Sequence, residues 1–187
     1  DKVLTHEPSY AMSSVYCSLF NAEKLSMPFN KSLTIDIDQF CDRITKDIKL
    51  VIFENPNGFV GTGFSLSEIK KLIIKAREND TLILVDEAYF PFHNITAIDL
   101  INDYGNLIIS RTFSKSMSLA GVRLGYLVSN RTLMSSLIKF RPMHEISSLA
   151  IVIGCYFLDH IAVMDQLVCN VRDIMKSTIA TLKQNNI

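Results

Sequence analysis

Three short apolar runs constrain this chain most: Leu50-Val51-Ile52-Phe53, Leu82-Ile83-Leu84-Val85 and Leu107-Ile108-Ile109. Each has strand length, and none alternates apolar with polar residues, so each predicts a strand buried on both faces. Between the first two, Ser65 and Glu68 form a capping box. It opens a helix with Leu66, Ile69, Leu72, Ile73 and Ala76 on one face. Strands alternating with helices predict an α/β protein, a three-layer α/β/α arrangement around a mainly parallel sheet. Ligands of such sheets gather at the carboxyl ends of strands. Asn55, Asp86 and Lys115 all fall at or just beyond a predicted strand end.

The remaining segments fit this alternation. Val3-Leu4 begins a strand that stops at Pro8, and Ser9 is placed to cap a helix with Met12, Val15, Tyr16 and Leu19 on one face. Residues 25–29 read as a strand. Asp36 and Gln39 resemble a second capping box, ahead of Phe40, Cys41 and Ile44 at helical spacing. A short helix is expected over residues 95–101, a buried strand over 124–128 and a helix over 133–140. Met164, Leu167, Val168, Val171, Ile174, Thr178 and Leu182 lie on one stripe, which predicts a long terminal amphipathic helix. That stripe needs a partner surface, and a twofold dimer is expected.

Composition excludes some functions. Lys+Arg and Asp+Glu are equal at 19 each, which argues against broad capture of nucleic acid or an anionic membrane. The longest apolar run, residues 146–158, is too short to span a bilayer. Cys17, Cys41, Cys155 and Cys169 sit in apolar stretches without C-x-x-C pairing, so buried reduced thiols of a cytoplasmic protein are expected. The sequence opens on Asp1 and closes inside a helical pattern, so a piece of a longer protein is expected.

The chemistry centres on the segment from Arg111 to Arg123, where Lys115 stands in a polar connection between two apolar runs. A lone lysine there is most simply a solvated loop residue. Thr112 and Ser114, however, are small donors, and Arg123 is a planar, permanently charged fork suited to phosphate. A phosphate-anchored electrophile beside an amine is the setting for Schiff-base chemistry. Asp86 follows four apolar residues, and a buried carboxylate is costly unless paired. Its partner is a helix N-terminus, a structural cation or a protonated ring nitrogen on a cofactor. Tyr89 and Asn55 could bond polar atoms of the same ring, while Tyr10 taken alone reads as a packing aromatic.

Other readings fail on missing parts. The run ending in Asp86-Glu87 is similar to a Walker B strand, but no G-x-x-x-x-G-K-[ST] loop exists. Gly58, Gly61 and Gly63 do not make G-x-G-x-x-G. Thr112 stands where S-x-x-K hydrolases need serine, and no His/Cys/carboxylate cluster has metal spacing.

Three motifs in order, Asn55-Pro56-Asn57-Gly58, Asp86-Glu87-Ala88-Tyr89 and Arg111-Thr112-Phe113-Ser114-Lys115 continuing to Leu119-Ala120-Gly121-Val122-Arg123-Leu124-Gly125-Tyr126, carry a resemblance. The chain resembles the central part of a fold-type I, pyridoxal-phosphate-dependent aminotransferase, nearest to the histidinol-phosphate aminotransferase group. Pro8-Ser9-Tyr10 resembles the family segment whose aromatic stacks on the cofactor. The resemblance implies that Lys115 binds pyridoxal 5'-phosphate covalently and shuttles the proton. It implies that Asp86 pairs with the pyridinium nitrogen and that Tyr89 and Asn55 bond the phenolic oxygen. By the same resemblance Thr112, Ser114 and Arg123 hold the phosphate and Tyr10 stacks on the ring.

It further implies an amino acid, or an amino alcohol phosphate such as histidinol phosphate, and a 2-oxo acid as substrates. A decarboxylase or lyase would use the same cofactor residues, and a remnant that only folds and associates is a third alternative. Residues 1–187 would be the large, cofactor-binding domain, with residues 146–187 a helical segment leading to a small domain. Asn57 and Phe59 depart from the family's usual turn spacing. Neither Arg111 nor Arg141 matches the family's substrate-carboxylate arginine.

Overall fold

The computed structural model describes residues 1–185. It comprises two compact units, one of residues 1–111 and 126–142, the other of residues 112–125 and from Met143 onward.

The first unit carries the sheet apart from two strand-end residues, Thr112 and Gly125. Its strands are β1 (Lys2–Glu7), β2 (Glu23–Pro28), β3 (Ile48–Glu54), β4 (Leu82–Asp86), β5 (Leu107–Thr112) and β6 (Gly125–Ser129), in the order β2-β1-β3-β4-β5-β6. The first five pair in parallel. β6 runs antiparallel to β5, since Ser129 Oγ bonds Leu107 O at one end and Phe113 N–H donates to Leu124 O at the other. The mainly parallel α/β sheet is therefore the one expected.

Helices α1 (Ala11–Leu19), α2 (Ile37–Asp42), α3 (Leu66–Glu78) and α4 (Arg131–Leu137) belong to the same unit. The chain moves outward from β1 to β2, then back past β1 to β3 and β4. Right-handed crossovers therefore put α1 on the opposite face from α2 and α3.

The core lies under α2 and α3. Val51, Phe53, Ile83, Val85, Leu107 and Ile109 from the strands meet Phe40, Ile44, Ile69, Leu72 and Ile73, all essentially buried. Each contributes roughly 1.5–3 kcal/mol by burial. The Ser65–Glu68 capping box is formed, with Ser65 N–H on Glu68 Oε2 at 2.8 Å and Glu68 N–H on Ser65 Oγ at 3.3 Å. Asp36 caps α2 through the N–H groups of Asp38 and Gln39.

Several local expectations are corrected. Leu50, Ile52, Leu82 and Leu84, on the other sheet face, stay partly exposed. α1 buries only Cys17, and Val15, Tyr16 and Leu19 face solvent, so the layer on that face is thin. Ser9 does not cap α1. Tyr10 takes the N-cap position without a side-chain cap bond, and its own N–H is held by Glu54. β6 is an exposed edge strand, because apolar content marks a strand but not its place in the sheet. The helix expected near residue 95 is a 3-10 turn, Ile98–Asn102.

The second unit contains α5 (Ser148–Asp159) and α6 (Ile161–Gln184), the long terminal helix expected. Ser147 Oγ caps α5 by accepting Ala150 N–H at 3.1 Å. Met164 and Val168 of the α6 stripe are buried, while Val171, Ile174 and Leu182 are exposed. Cys155 and Cys169 are exposed too, against expectation, because two helices bring more apolar surface than this unit covers; Cys17 and Cys41 are buried, and all four thiols are free. Among the described residues no single helix is long and apolar enough to cross a membrane, although α5 and α6 together, bent by 79°, have the length and composition.

Candidate functional site

Strand order reverses at β1, whose neighbours are β2 and β3. A crevice outside the carboxyl ends of strands opens at such a switch point. Here the ends of β1 and β3 are joined by buried polar groups. His6, fully buried, accepts the Glu54 backbone N–H on Nε2 at 2.9 Å. That bond leaves Nε2 without a proton, so Nδ1 carries it and donates to Pro8 O at 3.2 Å. Burial pulls the imidazole pKa down to about 4, so the ring is neutral at ordinary pH.

Glu54, 6% exposed, accepts Tyr10 N–H on one oxygen at 2.5 Å and Asn57 Nδ2–H on the other at 3.0 Å. Burial pushes its carboxyl above the usual range, and the Tyr10 N–H works against that. Asn57 also donates to Pro8 O at 2.8 Å and accepts the N–H groups of Phe59 and Val60, both at 2.9 Å. The departure from the family turn thus builds an ordered loop.

The predicted residues Asn55, Asp86, Tyr89 and Tyr10 are brought to this strand-end edge. Asn55 is fully buried, and its N–H donates to Asp86 O at 2.8 Å. Its side-chain oxygen accepts Phe64 N–H at 2.8 Å, while Nδ2 has no hydrogen-bond partner. Such a buried donor is costly unless something outside the chain accepts from it. Asp86 is the register partner of Glu54, so the two side chains leave the same face. It accepts Ala88 N–H at 3.0 Å, and burial raises its carboxyl pKa. The Tyr89 ring lies over Gly58, where an added Cβ would come within 2.5 Å of it. Tyr10 is 58% exposed.

A donor in search of an acceptor, a carboxylate in search of a cation and an open aromatic face suit a flat heterocycle with a basic ring nitrogen and an acceptor oxygen. The residues present fit pyridoxal phosphate in these respects.

Thr112, Ser114, Lys115 and Arg123 belong to the second unit. Thr112 Oγ1 accepts Ser114 N–H at 3.1 Å, which turns the chain sharply after β5. Lys115 O accepts Ser118 N–H at 3.0 Å, Leu119 N–H donates to Phe113 O at 2.9 Å, and Lys115 itself is exposed. Phe113 and Met117 are buried beneath the turn, and Gly154 of α5 sits so close that a Cβ there would come within 2.5 Å of Leu124. Arg123 has a left-handed backbone, φ 59°, and Nη1 donates to Ala120 O at 2.9 Å. Its fork keeps further N–H donors.

Sequence reasoning missed His6 and Glu54, although a histidine and a glutamate near the carboxyl ends of two strands are a readable signal. It also left Glu87 and Arg111 without a task. Arg111 Nε and Nη2 both donate to Glu87 Oε2, at 3.0 and 2.8 Å, and the guanidinium lies 3.8 Å over the Phe90 ring. Arg111 is thus committed to a structural pair.

A family model described as aminotransferase class I and II matches residues 1–178. The chain is similar to the histidinol-phosphate aminotransferase of Thermoanaerobacter pseudethanolicus, 38% identical over 155 residues, covering 82% of this chain and 43% of that protein. It spans less than half the length of the curated relatives it matches. Its fold is similar to that of the histidinol-phosphate aminotransferase from Clostridium acetobutylicum, with a TM-score of 0.90, 21% identity, and coverage of 98% of this chain and 56% of that one. It is also similar to the histidinol-phosphate aminotransferase from Sinorhizobium meliloti, solved in complex with pyridoxal-5'-phosphate, with a TM-score of 0.81, 21% identity, and coverage of 92% and 47%.

Proposed function

Because the chain belongs to the class I and II aminotransferases, we propose that it forms the pyridoxal-phosphate-binding part of an enzyme that moves an amino group between an amino acid, or an amino alcohol phosphate such as histidinol phosphate, and a 2-oxo acid. The observation that carries this reading is the buried, unpartnered Asn55 Nδ2 on the same strand-end edge as Asp86, whose carboxyl burial has made proton-seeking. When bound, pyridoxal phosphate supplies a cationic ring that accepts the electron pair released at the substrate's α-carbon.

The chain's own residues do the rest. Asp86 would hold the proton on the ring nitrogen, and Asn55 Nδ2 and the Tyr89 hydroxyl would donate to the phenolic oxygen. Tyr10 would cover one face of the ring. Thr112, Ser114 and Arg123 would hold the phosphate dianion by hydroxyl and guanidinium donors. Lys115 would supply the amine that anchors the cofactor and would take and return the proton at the substrate carbon.

The reading extends to a cytoplasmic homodimer with residues 1–187 as cofactor-binding domain, and the free thiols and the exposed apolar residues of α1 and α6 support it.

The test is covalent labelling. The chain is mixed with pyridoxal phosphate, reduced with borohydride and mapped by mass spectrometry. A pyridoxyl group on Lys115, lost in Lys115→Ala, is the expected result. A single-site adduct that survives in Lys115→Ala overturns the assignment.

A further inference from the structure

We propose that Glu54 is a positioning residue that fixes where Tyr10 stands, and so where the cofactor ring is covered. The proposal rests on the reading of Tyr10 as the stacking aromatic. Tyr10 is more than half exposed, and its side chain makes no cap bond. Its backbone is held instead. The N–H donates to Glu54 Oε1 at 2.5 Å, and the carbonyl accepts Ser13 N–H at 3.0 Å and Ser13 Oγ–H at 2.8 Å.

Glu54 is itself gripped from the other side. Asn57 Nδ2 reaches its second oxygen at 3.0 Å and Pro8 O at 2.8 Å, and the Glu54 N–H is fixed by the neutral His6 ring at 2.9 Å. A carboxylate this buried is tolerated only with both oxygens satisfied. One of its partners is the backbone of the residue it positions. Bonds to an ionised acceptor are about twice as strong as neutral ones. Glu54 adjoins Asn55 in sequence and Asp86 in register, so a single side chain sets Tyr10 against the other two groups of the edge. β1 and β3 are already joined by their ladder, so the Glu54 contact adds a constraint on Tyr10 rather than on the strands.

The experiment compares the wild-type chain with Glu54→Gln and Glu54→Ala by amide hydrogen exchange and by pyridoxal phosphate titration. Glutamine keeps a carbonyl acceptor for Tyr10 N–H but turns an NH₂ toward Asn57, so it should rescue in part. Tyr10 N–H exchange should quicken roughly 10- to 100-fold in Glu54→Ala and less in Glu54→Gln, the range set by losing one bond to a charged acceptor. Ladder amides of β1 and β3 should keep their protection, and the pyridoxal phosphate Kd should rise in the same order.

Unchanged Tyr10 exchange in both variants overturns the proposal. So does a loosened Tyr10 with an unchanged Kd. Collapse of ladder protection in Glu54→Ala would report misfolding, and Glu54→Gln then decides by the same two readouts. Absence of pyridoxal phosphate uptake by the wild-type chain overturns the function reading and this role together, and the failing arm identifies that case.

Discussion

Acid should destabilise this fold through His6. The ring is fully buried between Phe29 and Phe53, with centroids at 5.4 and 5.2 Å, and Nε2 is occupied by the Glu54 N–H. A protonated ring would turn a donor toward that N–H and place a charge among apolar neighbours, which is why burial lowers the pKa from 6.5 to about 4. The unfolded chain takes up a proton near pH 6.5, and the folded chain refuses it until about pH 4. Stability is therefore lost as pH falls through that window, by roughly 3 kcal/mol near its lower end.

Glu54 and Asp86 work in the opposite sense. Their raised carboxyls bind protons in the folded state first, so what they contribute is present in acid and lost as pH rises through their folded values. A control must therefore cancel them. His6→Gln does so, since its side-chain oxygen can accept the Glu54 N–H and does not titrate. Urea unfolding of both proteins from pH 7.5 to 4 should give curves that separate steadily below pH 6.5, with wild type losing about 3 kcal/mol more. Parallel curves would refute the buried-neutral assignment.

Two further outcomes follow from close packing and from buried charge. Gly58→Ala places a Cβ within 2.5 Å of the Tyr89 ring and 2.9 Å of its hydroxyl oxygen, so the ring must swing; pyridoxal phosphate affinity should fall several-fold, the cost of about one hydrogen bond, with little change in Tm. Arg111→Met leaves Glu87, fully buried, without its cation, and urea unfolding should show a loss of about 3–5 kcal/mol, much of it recovered when Glu87→Leu is added.

What the sequence made legible was periodicity and motif. Unbroken apolar runs identified β3, β4 and β5, and the Ser65–Glu68 pair placed the start of α3 to the residue. Both are local signals, fixed by strand length and cap chemistry. Burial was less legible, because it depends on what packs where. Leu84 and Val85 look alike in sequence, yet one meets α3's side of the sheet and the other a thinly covered face. Val15, Tyr16 and Leu19 have a core helix's spacing and stand in solvent.

The candidate site divides in the same way. Asn55, Asp86 and Lys115 could be found because motifs flag strand ends. His6 and Glu54 are 48 positions apart, and their contact exists only once β1 lies beside β3.

The left-handed backbone at Arg123 has a consequence for engineering. Glycine adopts φ near 59° freely, whereas a side chain there costs about 1 kcal/mol. The chain carries an arginine at a position where backbone geometry alone favours glycine or asparagine. On the role proposed for Arg123, selection for heat resistance and selection for cofactor retention would pull this one position in opposite directions.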